Sequence, residues 1–384
     1  MKSTKMTFLI TLLFAVLLAL PVHARQGVDN ALAEKMSAEV QRAMLAGNIP
    51  SATAALVRGE EIVWAEGFGY SNIWAKTPAV PKTVYLIGST FKAMSMTALL
   101  QQMEAGKFKL DDAVNDYLEK FKIQNETDGQ PVTFRHMFSH TSGLPVAFGP
   151  HPVWGESVPR SLEEYLTADL KVQKPPLQEV VYSNIAYALM AHLLEKFSGE
   201  DYKSYIKKRI FEPLEMNDTE FMPRPEMEER LAIPYVIDQT TGKPAATVRL
   251  KADVWPAGIV YGTILNQANW LIANLNDGKF KGKNVISKAT LNQIMTRQYD
   301  QFAGPISAGW LNETTGFGLT WWISERNGDT LFAHSGSVPG YTAFLVGNRQ
   351  KKHGFAILTN GNRAHKHLFE LAVKALDILE ETAE

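Results

Sequence analysis

Cysteine is absent from all 384 residues. That excludes a disulfide framework, thiolate metal centres, a cysteine nucleophile and a lipid-modified cysteine terminus, so stability must come from burial. An excess of one charge is missing too: 39 basic and 40 acidic residues leave a formal net charge of −1. With no basic stripe to neutralise phosphates, nucleic acid is not an expected partner. Internal repeats and low-complexity tracts are lacking. So is any Gly-x-Ser-x-Gly, the strained elbow on which α/β-hydrolases carry their serine. No cofactor or metal is expected. His365 and His367 flank a lysine at a predicted helix start without a carboxylate partner, and read as solvated capping residues rather than ligands.

Long apolar runs are confined to the start. Lys2 and Lys5 precede an apolar stretch over residues 6–20, followed by Pro21 and by Val22-His23-Ala24, a small-residue cleavage site before Arg25. The stretch is shorter than the roughly 20 residues of a membrane-spanning helix. The expectation is an export signal over residues 1–24, with a retained anchor as the alternative. Residues 25–384 are then expected to be periplasmic or secreted, without stable membrane insertion. No pattern in the sequence bears on oligomeric state.

What is present reads as strands at both ends with helices between. Val28, Leu32, Met36, Val40 and Met44 recur every four residues, predicting an amphipathic helix ended by Gly47 and Pro50. Residues 51–57 and 62–70 read as strands. Helices are predicted over residues 90–106, 184–197, 202–211, 268–275 and 287–297, and Ser161 to Glu164 forms a capping box before another. Strands are then predicted over residues 317–325, 330–334, 341–346 and 355–359, with Asn327-Gly328 as a hairpin turn. A last helix is predicted over residues 368–379.

Three short elements carry chemistry. In Gly88-Ser89-Thr90-Phe91-Lys92 the serine and lysine stand three apart at a helix entry, so both share one face and the amine reaches the hydroxyl. A serine needs such a proton acceptor to become a nucleophile. A second copy, Ser204 to Lys207, lies inside a lysine-rich helix with no glycine before it and is set aside. Tyr182-Ser183-Asn184 precedes another helix. A lysine cation beside Tyr182 would lower its pKa and favour the phenolate, while Asn184 offers a donor and an acceptor to a substrate amide. The bland alternatives are a packed tyrosine and a helix-capping asparagine. In His334-Ser335-Gly336-Ser337 the glycine, beside an edge strand, permits close backbone approach by a ligand. The N–H groups of Ser337 and Ser89 would then form an oxyanion hole. Trp255, Trp310, Trp321 and Trp322 read as core, and Trp154 as a cleft-lining residue.

In this order the three elements resemble the serine β-lactamase, penicillin-binding protein and related esterase superfamily, whose signature is Ser-x-x-Lys, a middle motif and Lys-Thr-Gly. The tyrosine form of the middle motif is similar to the class C β-lactamase branch. The stretches Ser139-His140-Thr141-Ser142-Gly143-Leu144-Pro145, Phe211-Glu212-Pro213-Leu214 and Leu358-Thr359-Asn360 resemble others that the family carries. Two departures stand out. His334 replaces the lysine that, in β-lactam-processing members, helps hold a carboxylate; and Pro256-Ala257-Gly258-Ile259 replaces a double glycine.

The resemblance implies an α/β fold of the β-lactamase/transpeptidase type: an antiparallel sheet from both chain ends, flanked by helices, with a mostly helical insertion. The α/β body is expected over about 25–88 and 300–384 and the helical region over about 89–299. The implied activity is hydrolysis of a small-molecule ester or amide through an acyl-enzyme on Ser89. Lys92 and Tyr182 serve as the catalytic partners, and Asn184, His334, Gly336 and Ser337 bind substrate or oxyanion. Carboxylesterase-like activity is the first expectation, β-lactamase or D-alanyl peptidase activity the second, and a non-catalytic binding protein the third. Which of Lys92 and Tyr182 is the base stays open.

Overall fold

The computed structural model describes residues 30–147, 158–238, 240–303, 315–362 and 364–382. The expected export signal, Trp154 and Trp310 lie outside these. An eight-stranded antiparallel sheet draws on both ends of the chain. It comprises β1 (Ser51–Arg58), β2 (Glu61–Asn72), β3 (Thr77–Pro78), β4 (Gly316–Phe317), β5 (Trp322–Arg326), β6 (Asp329–Val338), β7 (Tyr341–Asn348) and β8 (His353–Thr359). Their order across the sheet is β4-β5-β6-β7-β8-β1-β2-β3. The seam between the two ends is the β8–β1 pair, in register from Ala52 opposite Thr359 to Arg58 opposite His353.

Alternation along β1 sends its side chains to two cores. Ala52, Ala54 and Leu56 face α1 (Asn30–Gly47) and the C-terminal helix, whereas Ala55 and Val57 face the helical region. Strands buried on both faces read as continuous apolar runs, as β7 and β8 do. Between the two ends come α2 (Lys92–Glu104), α3 (Leu162–Asp169), α4 (Ile185–Ser198) and α5 (Ile264–Leu275), and α6 (His365–Glu381) closes the chain. The predicted capping box holds: Glu164 N–H donates to Ser161 Oγ, and Ser161 N–H to the Glu164 carboxylate. α2 is buried nearly all round, which marks it as a central helix rather than an amphipathic surface one.

Several expectations differ in detail. The strand expected over residues 317–325 is split into β4 and β5, because Thr320 adopts φ +71 and breaks the extended run. The strand expected to stop at His334 runs on to Val338, so the third motif lies within β6. β6 sits between β5 and β7 and is not an edge strand. The segment read as one helix over residues 202–211 is an α-turn, Tyr202–Ile206, followed by a π-turn, Lys207–Phe211.

Candidate active site

A 3₁₀ turn, Gly88–Phe91, feeds α2 at Lys92. Gly88 has φ +58, where a side chain is strained, and a Cβ on it would stand 3.1 Å from the Ser337 nitrogen. Lys92 Nζ lies 2.9 Å from Ser89 Oγ and 2.6 Å from the Ala257 carbonyl oxygen. The Lys92 side chain is fully buried, and burial drives its pKa well below the ordinary 10.5 with no carboxylate to offset it. In the neutral amine an N–H serves Ala257, and the lone pair is left to accept the Ser89 hydroxyl proton. The carbonyl that fixes the lysine thus lies in the Pro256-Ala257-Gly258 stretch. The second Ser-x-x-Lys has none of this: Ser204 Oγ donates to Asp201 and Lys207 pairs with Glu220 near the surface.

Tyr182 lies just before α4, its ring centroid 5.0 Å from Lys92 Nζ and its hydroxyl on the side of Ser89. The expected lowering of its pKa is reversed: burial raises it, and the neighbouring Ser89 offsets only part of the rise. The reason is that Lys92 is itself pushed toward neutrality, so there is little cation to favour a phenolate. Asn184 occupies the N-cap position of α4, yet its side chain does not cap; Ser183 Oγ accepts the Ala186 N–H instead. Asn184 Nδ2 is left buried without a partner. A buried donor of this kind is costly unless something pairs with it.

β6 and β7 are joined by the two-residue turn Pro339-Gly340, with Val338 opposite Tyr341 and Ser337 opposite Thr342. In such a hairpin the closing pair exchanges both bonds, so alternation turns the Ser337 N–H away from β7. On that side β5 has already ended, its last pair being Trp322 with Ala333. The Ser89 turn faces this gap. A Cβ on Gly336 would stand 2.2 Å from the Ile87 oxygen and 3.2 Å from the Ser89 nitrogen. Only glycine allows the two backbones to approach so closely. The N–H groups of Ser89 and Ser337 are thereby brought to one place.

His334 is fully buried rather than lining the open cleft. Its Nδ1 lies 2.7 Å from the Ser335 carbonyl, its ring stacks on Trp322 at 5.6 Å, and its Nε2 has no partner. Burial, and to a lesser degree Lys92, push its pKa down to about 3. A neutral imidazole therefore stands where a lysine cation was the family expectation. Trp321 and Trp322 are core residues, as read from sequence.

Sequence reasoning missed three positions around Lys92 and Tyr182. Tyr187 presents its ring 5.1 Å from Lys92 Nζ, Thr320 bonds the Tyr187 hydroxyl, and His140 stacks on Tyr182. His140 belonged to a recognised stretch but was assigned no role, and Tyr187 follows Asn184 by three residues. No local signal marks Thr320. Among the described residues, no group of three or more potential metal-ligating His, Cys, Asp or Glu side chains is found.

Comparison with known proteins bears on the family and the fold. Protein flp of Staphylococcus aureus (strain MW2) is 23% identical over 339 residues, covering 87% of this chain. The chain spans only 64% of that protein's length. The structure of the octameric penicillin-binding protein homologue from Pyrococcus abyssi superposes with a TM-score of 0.74 at 26% identity, covering 91% of this chain and 77% of its own. A penicillin-binding protein from Bacillus halodurans gives 0.68 at 19% identity, covering 88% and 98%. The Beta-lactamase family model matches residues 28–380, and the chain belongs to that family.

Proposed function

We propose that the chain is a serine hydrolase acting on neutral esters or amides through an acyl-enzyme on Ser89. The observation that carries this is the buried Lys92 amine, 2.9 Å from Ser89 Oγ and held by the Ala257 carbonyl with no carboxylate to keep it charged. Ser89 Oγ attacks the substrate carbonyl carbon as Lys92 takes its proton. The carbonyl oxygen becomes an oxyanion between the Ser89 and Ser337 N–H groups, each such donor contributing about 3 kcal/mol in comparable holes. The proton passes through the Tyr182 hydroxyl to the leaving oxygen or nitrogen as its bond to the acyl carbon breaks. A water then attacks the acyl carbon, losing its proton to Lys92, and Ser89 is released. Asn184 Nδ2 holds a substrate acceptor.

A carboxylesterase-like preference follows from His334. A neutral, buried imidazole supplies no cation for a carboxylate, which favours uncharged acyl substrates over penicillins. Penicillin binding is the second reading, favoured by the structural relative described as a penicillin-binding protein homologue. The test is a panel of short p-nitrophenyl esters, a chromogenic cephalosporin and D-alanyl peptides, with Ser89→Ala alongside. Fastest turnover of an ester, lost in Ser89→Ala, is expected. Faster turnover of the cephalosporin, or an accumulating penicilloyl-Ser89, supports the second reading instead. Equal loss of activity in Ser204→Ala and Ser89→Ala would refute the nucleophile.

A further inference from the structure

Tyr182 lies in an irregular segment, where no helix or strand ladder fixes its backbone. A hydroxyl that must meet Ser89 needs another support, and His140 provides contacts on three sides. Its carbonyl accepts the Val181 N–H at 2.8 Å, and its Nδ1 accepts the Ser183 N–H at 3.1 Å. Its ring stacks on the Tyr182 ring with centroids 4.4 Å apart and planes 29° from parallel. The residues on both sides of Tyr182 are therefore tied to one histidine, against which the phenol ring also lies.

His140 is held in place in turn. It follows the short helix Phe134–Phe138, whose capping box is built by Thr133 and His136. It adopts φ +60, a conformation rare for a side-chain-bearing residue and worth attention where it occurs beside a reactive group. The rings of Phe317 and Tyr187 pack at 5.1 and 5.8 Å. Burial holds it neutral, and the titratable groups acting on it, Lys92 and His334, lower its pKa further where they are protonated. Acceptance of the Ser183 N–H at Nδ1 assigns the remaining ring proton to Nε2.

We propose that His140 is a positioning residue that sets the Tyr182 hydroxyl on Ser89, through the backbone on either side of the tyrosine and through the stacked ring. This rests on the reading of Tyr182 as the group that passes the proton. A misplacement of about 1 Å at such a group costs on the order of 100-fold in rate, so loss of the clasp is visible in turnover.

The experiment is a double-mutant cycle on the full chain with a short p-nitrophenyl ester. His140→Leu keeps bulk but removes the acceptor and the ring. His140→Asn keeps an acceptor near the Nδ1 position and tolerates the left-handed backbone. His140→Leu is expected to lower kcat about 30-fold with KM within about threefold, and His140→Asn to recover to within about fivefold of wild type. In a Tyr182→Phe background, His140→Leu is expected to cost less than about threefold more, because residues acting as a unit are non-additive. Equal losses in both backgrounds, or wild-type kcat in His140→Leu or Tyr182→Phe, overturn the proposal. Should His140→Leu show no cooperative thermal transition, the same cycle is run with His140→Asn. Its loss must then vanish in Tyr182→Phe, and persistence of that loss overturns the proposal. Labelling by a fluorophosphonate separates the two levels. No label on wild-type Ser89 sinks the serine-hydrolase reading, whereas a labelled Ser89 with an additive cycle sinks only the role of His140.

Discussion

The hydroxyls of Tyr187 and Thr320 lie 2.6 Å apart, both fully buried, and the Tyr187 ring stands 5.1 Å from the Lys92 amine. Thr320 is β-branched yet has φ +71, and its N–H donates to the Phe138 carbonyl at 2.7 Å. Such a conformation persists only where its surroundings over-determine it. Tyr187→Phe keeps the ring beside Lys92 and leaves the Thr320 hydroxyl without this partner. Denaturant unfolding should show a loss of about 1–3 kcal/mol, with kcat changed much less than by Lys92→Ala. A collapse of kcat at unchanged stability would mean that the Tyr187 hydroxyl itself takes part in proton transfer.

The identity of the base is decided by comparing variants. Lys92→Ala should reduce kcat by about 1,000-fold or more and Tyr182→Phe by about 100-fold, both within the range of general acid–base losses. A base works deprotonated, so kcat/KM should fall as pH is lowered through the pKa of Lys92, at a pH well below 10.5. Tyr182→Phe should keep that acid limb. Its disappearance in Tyr182→Phe would restore the phenolate as base.

Acid stability tests His334. Its folded pKa of about 3 lies below the 6.5 of an unfolded chain, so the unfolded state binds the proton first. Above about pH 6.5 this histidine imposes no penalty on folding. The penalty grows as pH falls toward 3 and is constant below that. His334→Gln should therefore flatten the decline of the thermal midpoint between pH 6.5 and 3, and an unchanged slope would count against a neutral buried His334.

Gly336→Ala tests the backbone approach behind the proposed oxyanion hole. With the Ile87 oxygen 2.2 Å from the new methyl group, β6 and the Ser89 turn must separate. A loss of about 100-fold or more in kcat is expected from misaligned donors, with far-ultraviolet circular dichroism unchanged. Wild-type turnover would place the oxyanion elsewhere.

Export is a separate proposal, resting on Lys2, Lys5 and the apolar stretch before Ala24. Mass spectrometry of the protein from its host should give an N-terminus within two residues of Arg25. An intact Met1 in membrane fractions would identify an anchor.

The periodic elements were legible because periodicity is a local property. α1, the β1–β2 pair and the Asn327-Gly328 turn between β5 and β6 follow from spacing and turn chemistry. The closeness of Ser89 and Lys92 was legible because the two share one turn, whereas the backbone that approaches Gly336 is that of the Ser89 turn and not a ligand. What escaped depends on burial, which spacing does not report. The pKa of Tyr182 moves opposite to the expectation because the neighbouring lysine is itself desolvated. The strand break at Thr320 comes from contacts with Phe138 and Tyr187, far away in sequence.

The β8–β1 seam has a consequence in time. Ser89 and Lys92 belong to the first part of the chain to be made, whereas Ser337 reaches them only through β6 and β7, which join β1 by way of β8. Pairings between distant parts of a chain form slowly, since closing the intervening loop must come first. A nascent chain thus carries Ser89 and Lys92 long before Ser337 stands beside them. Under the proposed function, hydrolytic competence then waits for the final closure of the sheet, and the serine stays quiet until that closure.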